Sequence, residues 1–230
     1  MKYCFTSSTQ HIIKALPLID FHVVLDGIDQ VAFEHFASYH LIDHPLYLAH
    51  VLVTAFQDST LQRMLVDVQQ EFADMDDVND ELASAFERLR DEMPALEVPH
   101  IYAQIGSFDQ SVIVADGSLG ISLDKYLGSD YSFYKQNYSS EQRRIMNRSM
   151  IVPDCLSFYL LSLYPMPRDL VGTQKGRDQH MSKIQWVVNE VIGREVFQSD
   201  LINSVEHYMK INKGQSFDDM LRAACKTVFQ

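Results

Sequence analysis

"PHIYAQIGSFDQSVIVADGSLGISLD", residues 99–124, decides the fold class. Within it, three short apolar or alternating runs, 99–108, 110–117 and 119–124, are punctuated by Gly and Asp, the pattern of successive strands. Their close succession predicts an antiparallel meander. On both sides the apolar period lengthens to that of helices. Upstream, "DVNDELASAFERLRDEM" (77–93) sets Leu82, Phe86 and Leu89 on one face, with Pro94 just beyond its end. "STLQRMLVDVQQEF" (59–72) reads as a further helix, as do "DHPLYLAHVLVTAFQ" (43–57) and "DQVAFEHFASYH" (29–40), where Val31, Phe33, Phe36 and Tyr39 keep helical spacing. The acids Glu71, Asp74, Asp76, Asp77, Asp80 and Glu81 gather where two of these helices join, which predicts a solvated linker with helix-start acids.

Downstream, "SSEQRRIMNRSM" (139–150) begins like a capping box, and "IVPDCLSFYLLSLY" (151–164) is apolar nearly all round, with Pro153 in its first turn. A helix without a polar face is a central, buried one. Residues 165–179 read as a loop, followed by amphipathic helices near 180–192, 199–210 and 216–228. Helices, a small sheet, then more helices make the class α+β, mostly helical. The expectation is one domain over 1–230, with helices over 1–97, a sheet and motif region over 98–136, and C-terminal helices over 137–230.

Composition narrows the functional classes. The 230 residues carry 47% apolar and 22% charged side chains, an ordinary globular balance, and a net charge of −12. That charge is wrong for a general nucleic-acid binder, which must neutralise phosphates, and for docking on an anionic membrane. No run approaches the length of a membrane span. The three cysteines, Cys4, Cys155 and Cys225, are odd in number and widely spaced, so they make neither a disulfide framework nor a C-x-x-C site. Cys155 and Cys225 sit among apolar neighbours and are expected to be buried. No apolar signal region precedes Cys4.

Metal and nucleophile motifs are incomplete. His35, His40, His44 and His50 cluster, but Pro45 takes His44 out of helical register with His40, and no Glu follows His40 as a metalloprotease helix requires. "NSVEH" (203–207) has Asn203 where an inverted zincin motif has its first histidine. There is no G-x-S-x-G elbow and no phosphate loop, and Cys155 lies inside an apolar helix, where burial blunts a thiol. What is left is a group of aspartates. Asp124 and Asp130 flank "KYLGS", and Asp154 opens the apolar helix. They are either converging carboxylates or the organisers of a turn and a helix start.

"ISLDKYLGSDYSFY" followed by "RRIMNRSMIVPDCLSFYLL" resembles the GldB family of gliding-motility lipoproteins, mostly from Bacteroidota. The resemblance is strong over 98–160 and weaker elsewhere, and the C-terminal "GTQKGRDQHMSKIQWVVNEVIGREVFQ" departs from it. The family is itself similar to predicted zinc proteases of the zincin type. On that pattern, Pro153, Asp154 and Ser157 stand where the two histidines and glutamate of the metal helix would be. The resemblance therefore implies a zincin-like shell without its zinc ligands, since Pro and Ser do not replace imidazole.

The expectation is a non-catalytic protein that holds a peptide or protein partner beside the sheet, with no cofactor and no metal. Asp124, Tyr126, Asp130, Tyr134, Pro153 and Asp154 shape that region, and Asp124 and Asp154 accept hydrogen bonds from the partner. The alternative is a metal-dependent hydrolase built on Asp124, Asp154 and His180 or His207. A cytoplasmic address follows if the chain is complete, and the cell envelope if a lipoprotein signal was removed.

Overall fold

A computed structural model describes residues 59–105, 111–115 and 117–229. The expected helices 29–40 and 43–57, the histidines His35, His40, His44 and His50, and Cys4 lie outside these residues. From the first described residue, the elements are α1 (Ser59–Glu71), α2 (Asp76–Glu92), β1 (His100–Gln104), β2 (Val112–Ala115), β3 (Ser118–Ser122), α3 (Ser132–Asn137), α4 (Ser140–Arg143), α5 (Ile151–Leu163), α6 (Arg168–Val171), α7 (Gln174–Ile192), α8 (Asp200–Ile211), α9 (Phe217–Arg222) and α10 (Cys225–Val228). Two 3-10 turns, Leu123–Lys125 and Arg148–Met150, follow β3 and precede α5. The fold is α+β and mostly helical, as its sequence predicts.

The sheet differs from a meander. Its order is β1-β3-β2: β3 runs antiparallel to β2 and parallel to β1, with His100 opposite Ser118 and Gln104 opposite Ser122. Gly117, at φ 66°, closes the β2–β3 connection. β3 then inserts between the other two strands, because it is the one whose Leu119 and Ile121 are both buried. Leu119 and Ile121 share one face of β3 and are covered by the core, while both edges of the strand are paired. Gly120 lets Gln104 lie across it, since a Cβ there would come 2.9 Å from Gln104 Oε1.

α2 and α5 behave as their patterns predict. α2 buries Val78, Leu82, Ala85, Phe86 and Leu89, starts with Asp76 and Asp77 at its positive end, and stops at Met93, before Pro94. In α5, Ile151, Val152, Cys155, Leu156, Tyr159 and Leu160 are buried, and Pro153 sits in the first turn, where its missing N–H breaks no helical bond. α5 lies against β2, β3, α2 and α7, which makes it the centre of the core. Cys155 and Cys225 are both buried and free.

Three segments depart from expectation, two through a tertiary contact and one through a local cap. The stretch 139–150 is not one helix. Its Ser139–Gln142 capping box forms, but α4 ends at Arg143, because the chain turns so that Met146 O can accept from Gly128 N (3.0 Å) and Asn147 can bridge Leu127. The stretch 165–179 is partly helical. α7 begins at Gln174 under the Thr173 N-cap, whose Oγ1 accepts from Gly176 N at 3.1 Å. Gly176 is there for close approach to Leu170 O, not to break the helix. Finally, 216–228 splits into α9 and α10. The buried Lys183 ammonium donates to Leu221 O and Ala223 O, both at 2.7 Å, and so holds open the carbonyls that a continuous helix would consume.

The α1–α2 join is also not simply solvated. Phe72 and Met75 are buried in it, and Arg148 spans it from outside. Its guanidinium grips Asp77 through Nε (2.9 Å) and Nη2 (2.5 Å), caps Glu71 O (2.9 Å) and Asp74 O (2.5 Å), and lies over the Phe72 ring. The guanidinium holds the Asp77 carboxyl below its usual range.

Candidate functional site

The 3-10 turn Leu123–Lys125 carries the chain out of the sheet and into a corner built on tyrosines. Gly128, at φ 101°, is the hinge of that corner, and Tyr131 N donates to its carbonyl at 3.0 Å. A residue with a side chain is strained at such an angle. Tyr134, fully buried, closes the corner from within: its hydroxyl donates to Asp124 O and accepts from Leu127 N at 3.2 Å. Its ring meets Tyr131 and Tyr138 edge-on, at 5.0 and 5.9 Å between centroids. Lys125 lies over the Tyr138 ring at 5.1 Å, and Tyr131 donates to Asp67 Oδ2 of α1 at 3.0 Å.

A second contact ties this corner to α5. Tyr126, 1% exposed, donates its hydroxyl to Asp154 Oδ2 at 2.8 Å. Burial, with the Asp154 charge second, pushes the Tyr126 phenol well above its ordinary value. Burial likewise raises the Asp154 carboxyl to about 6, against the opposing pull of the Tyr126 hydrogen bond. The adjoining Cys155 thiol is pushed up by burial too, which leaves it a poor nucleophile.

Tyr126, Tyr134, Asp154 and the backbone of Asp124 therefore meet in one hydrogen-bonded corner. The Asp124 side chain and Pro153 are buried beside it. Asp130 is apart from them: its side chain is 86% exposed and pairs with Lys135 at 2.9 Å, which keeps its carboxyl below the usual range. Asp154 does not cap α5. Met150 is the N-cap residue, and the Asp154 side chain looks to Tyr126 instead.

The residues of the alternative hydrolase site are not assembled. Buried His180 makes a 2.9 Å contact from Nε2 to Tyr164 O, while His207 is exposed on α8 beside a Glu206–Lys210 pair. Among the described residues no three His, Cys, Asp or Glu side chains gather in a way that could hold a metal ion. Asp124, Asp154 and either histidine therefore do not form the rearranged centre: His180 turns to Tyr164 O and His207 lies on the exposed face of α8.

One cavity, of about 210 Å³, lies elsewhere, between Arg88, Asp91 and Glu92 of α2, Glu190 and Val191 of α7, and Phe217 of α9. Arg88 Nη1 donates to Val191 O there at 2.6 Å. Two residues important to this architecture escaped the sequence reading, Arg148 and Lys183. The concentration of acids at the α1–α2 join was a signal that a cation would be needed there. Nothing in the pattern of α7 distinguished Lys183 from a surface lysine.

A family model described as gliding motility protein GldB matches residues 29–173, which include the whole corner and α5 and end where α7 begins. No curated protein and no solved structure matches the chain. The expected zincin likeness thus has no structural counterpart among the comparisons.

Proposed function

The chain belongs to the gliding motility protein GldB family, and we propose on that premise that it is a gliding-motility-related, non-catalytic protein that holds an extended peptide or protein partner at its small sheet. The observation that carries this reading is the Tyr126–Asp154 hydrogen bond. Tyr126 and Asp154 are turned on one another, and their hydrogen bond joins the sheet corner to the central helix. A carboxylate that accepts from a buried phenol in this way joins two elements of the fold.

The partner reading rests on the sheet's edge. β2 is one of the two edge strands, and among the described residues nothing pairs with its free side. Ile113 and Val114 are 36% and 37% exposed on it. An unpaired strand with apolar side chains is a template for strand addition, in which main-chain hydrogen bonds supply affinity. The finer idea of a metallopeptidase-like shell rests on the positions of Pro153 and Ser157, both buried on α5 and both unable to replace histidine as zinc ligands.

The test is complementation of a gene deletion, with colony spreading as the readout. Wild type restores spreading, and so does Asp154→Asn, because asparagine still accepts from Tyr126. The paired change Ile113→Lys with Val114→Lys blunts the edge strand and loses spreading without lowering the unfolding midpoint. A folded Asp154→Asn protein that fails to complement would point to a reacting carboxylate and sink the non-catalytic reading. Full function with both lysines in place would remove β2 as the docking edge.

A further inference from the structure

We infer that the free edge of β2 continues into an apolar groove against α5, and that this groove selects an extended peptide with large apolar side chains at alternate positions. The inference names the partner of the edge strand and rests on the docking reading of β2. The backbone comes first. Ser122 N donates to Ser111 O at 2.9 Å, and the antiparallel register sets Ile113 opposite Gly120 and Ala115 opposite Ser118. In an antiparallel ladder, opposed residues that exchange hydrogen bonds alternate with those that do not. Ser111, Ile113 and Ala115 therefore turn their backbone groups to β3, while Val112 and Val114 turn theirs to the open side. A strand added there pairs with Val112 and Val114, which fixes where its side chains go.

Side chains opposite one another on paired strands share a face. Val112 and Val114 lie opposite Ile121 and Leu119, which are buried in the core, so theirs is the face turned inwards. Val112 is 5% exposed but Val114 is 37% exposed, so the inner layer ends beneath Val114. α5 packs against β2, and its own open stripe is mostly apolar. Asp154, Phe158 and Leu161 share that stripe, because residues three and four apart are neighbours on a helix. Phe158 is 39% exposed and Leu161 half-buried. The Tyr126 hydroxyl sets the direction of the stripe: it donates to Asp154 and accepts from the Ser111 hydroxyl at the head of β2. Phe158, one turn on from Asp154, thus stands on the β2 side of α5.

The two walls specify the occupant. Unpaired backbone N–H and C=O groups are met by an extended chain, whereas a helix has already paired its own. On the added strand, the residues opposite Val112 and Val114 face inwards, two apart, and the residue between them faces outwards beside Ile113. The side chain opposite Val114 lies between Val114 and Phe158. A large apolar group there covers both at once. A charged one would be stripped of water without a partner, since Asp154, the carboxyl of the stripe, is engaged by Tyr126.

The experiment selects peptides from a random phage-displayed library on the full chain, with the Ile113→Lys, Val114→Lys protein as counter-selection. Enriched sequences are resynthesised with a fluorescent label and their binding is read by anisotropy. Large apolar residues two apart are expected among them, and Phe158→Ser is expected to weaken binding about tenfold. Phe158 is exposed, so that variant keeps the wild-type unfolding midpoint. Val114→Thr, close in shape and suited to a strand, should weaken binding in the same direction. Peptides that need the unblunted edge yet lack this spacing, or bind Phe158→Ser as tightly as wild type, overturn the groove and leave the docking edge standing. If no peptide tells wild type from the double-lysine protein, the docking edge itself falls and the groove with it. A wild type that sediments as a dimer, and as a monomer once both lysines are in place, makes a second copy the occupant and overturns the peptide.

Discussion

Tyr126 and Asp154 illustrate how a single pair can be read in two ways until the fold brings its members together. As sequence, they are an aromatic in a turn and an acid at a helix start. In the fold they are one hydrogen bond across 28 residues of chain. Tyr126→Phe removes the donor and leaves a part-buried carboxylate short of a partner. The expected cost is about 1–3 kcal/mol, read as a lower urea midpoint at pH 7.5 with an unchanged slope. Because the neutral acid tolerates that loss better than the anion, the cost should shrink at pH 4.5. Arg148 shows the opposite situation: its five-donor fork satisfies Asp77 and two carbonyls at the α1–α2 join, a task lysine's point charge could not perform.

At the scale of elements, helix ends decide the architecture of the C-terminal half. Gly193 ends α7 at φ 79°, and a Cβ there would come 2.9 Å from Arg88 Nη1. Gly193→Ala is therefore expected to destabilise the protein by about 1 kcal/mol or more, measured by thermal unfolding, through left-handed strain and displacement of Arg88 from Val191 O. Lys183 has a comparable role at the α9–α10 break. Burial holds its ammonium below the ordinary lysine value, yet the two carbonyls it serves have no substitute if it is removed. Lys183→Met is expected to cost about 2 kcal/mol, and hydrogen exchange should show residues 217–228 losing protection before α2 or α5.

For the molecule as a whole, we propose that the described residues fold as one unit, since α7 packs against α2, α5, α6, α8, α9 and α10 together. Val187, fully buried on α7, is the place to test this. Val187→Ala leaves a cavity expected to cost about 2 kcal/mol. Far-ultraviolet dichroism should report the same lowered transition as the intrinsic fluorescence of Trp186, the chain's single tryptophan, buried on α7. Separate transitions for the two probes would divide the chain into independently folding units. The net charge of −12 belongs to this scale as well, and it bears on solubility and partner choice, not on the fold.

Much of this protein was legible in its residues alone. The α+β class, the limits of α2, the centrality of α5, the burial of both described cysteines and membership of the family all follow from local periodicity, capping and a long composite motif, which neighbouring residues encode without reference to distant ones. The mixed sheet, the shortened α4, the split between α9 and α10, and the Tyr126–Asp154 corner were decided by the tertiary structure. Strand order, a carbonyl diverted to a lysine and a carboxyl shared with a tyrosine depend on which surfaces meet in space. The linear pattern reports which residues must be buried but not what each will face.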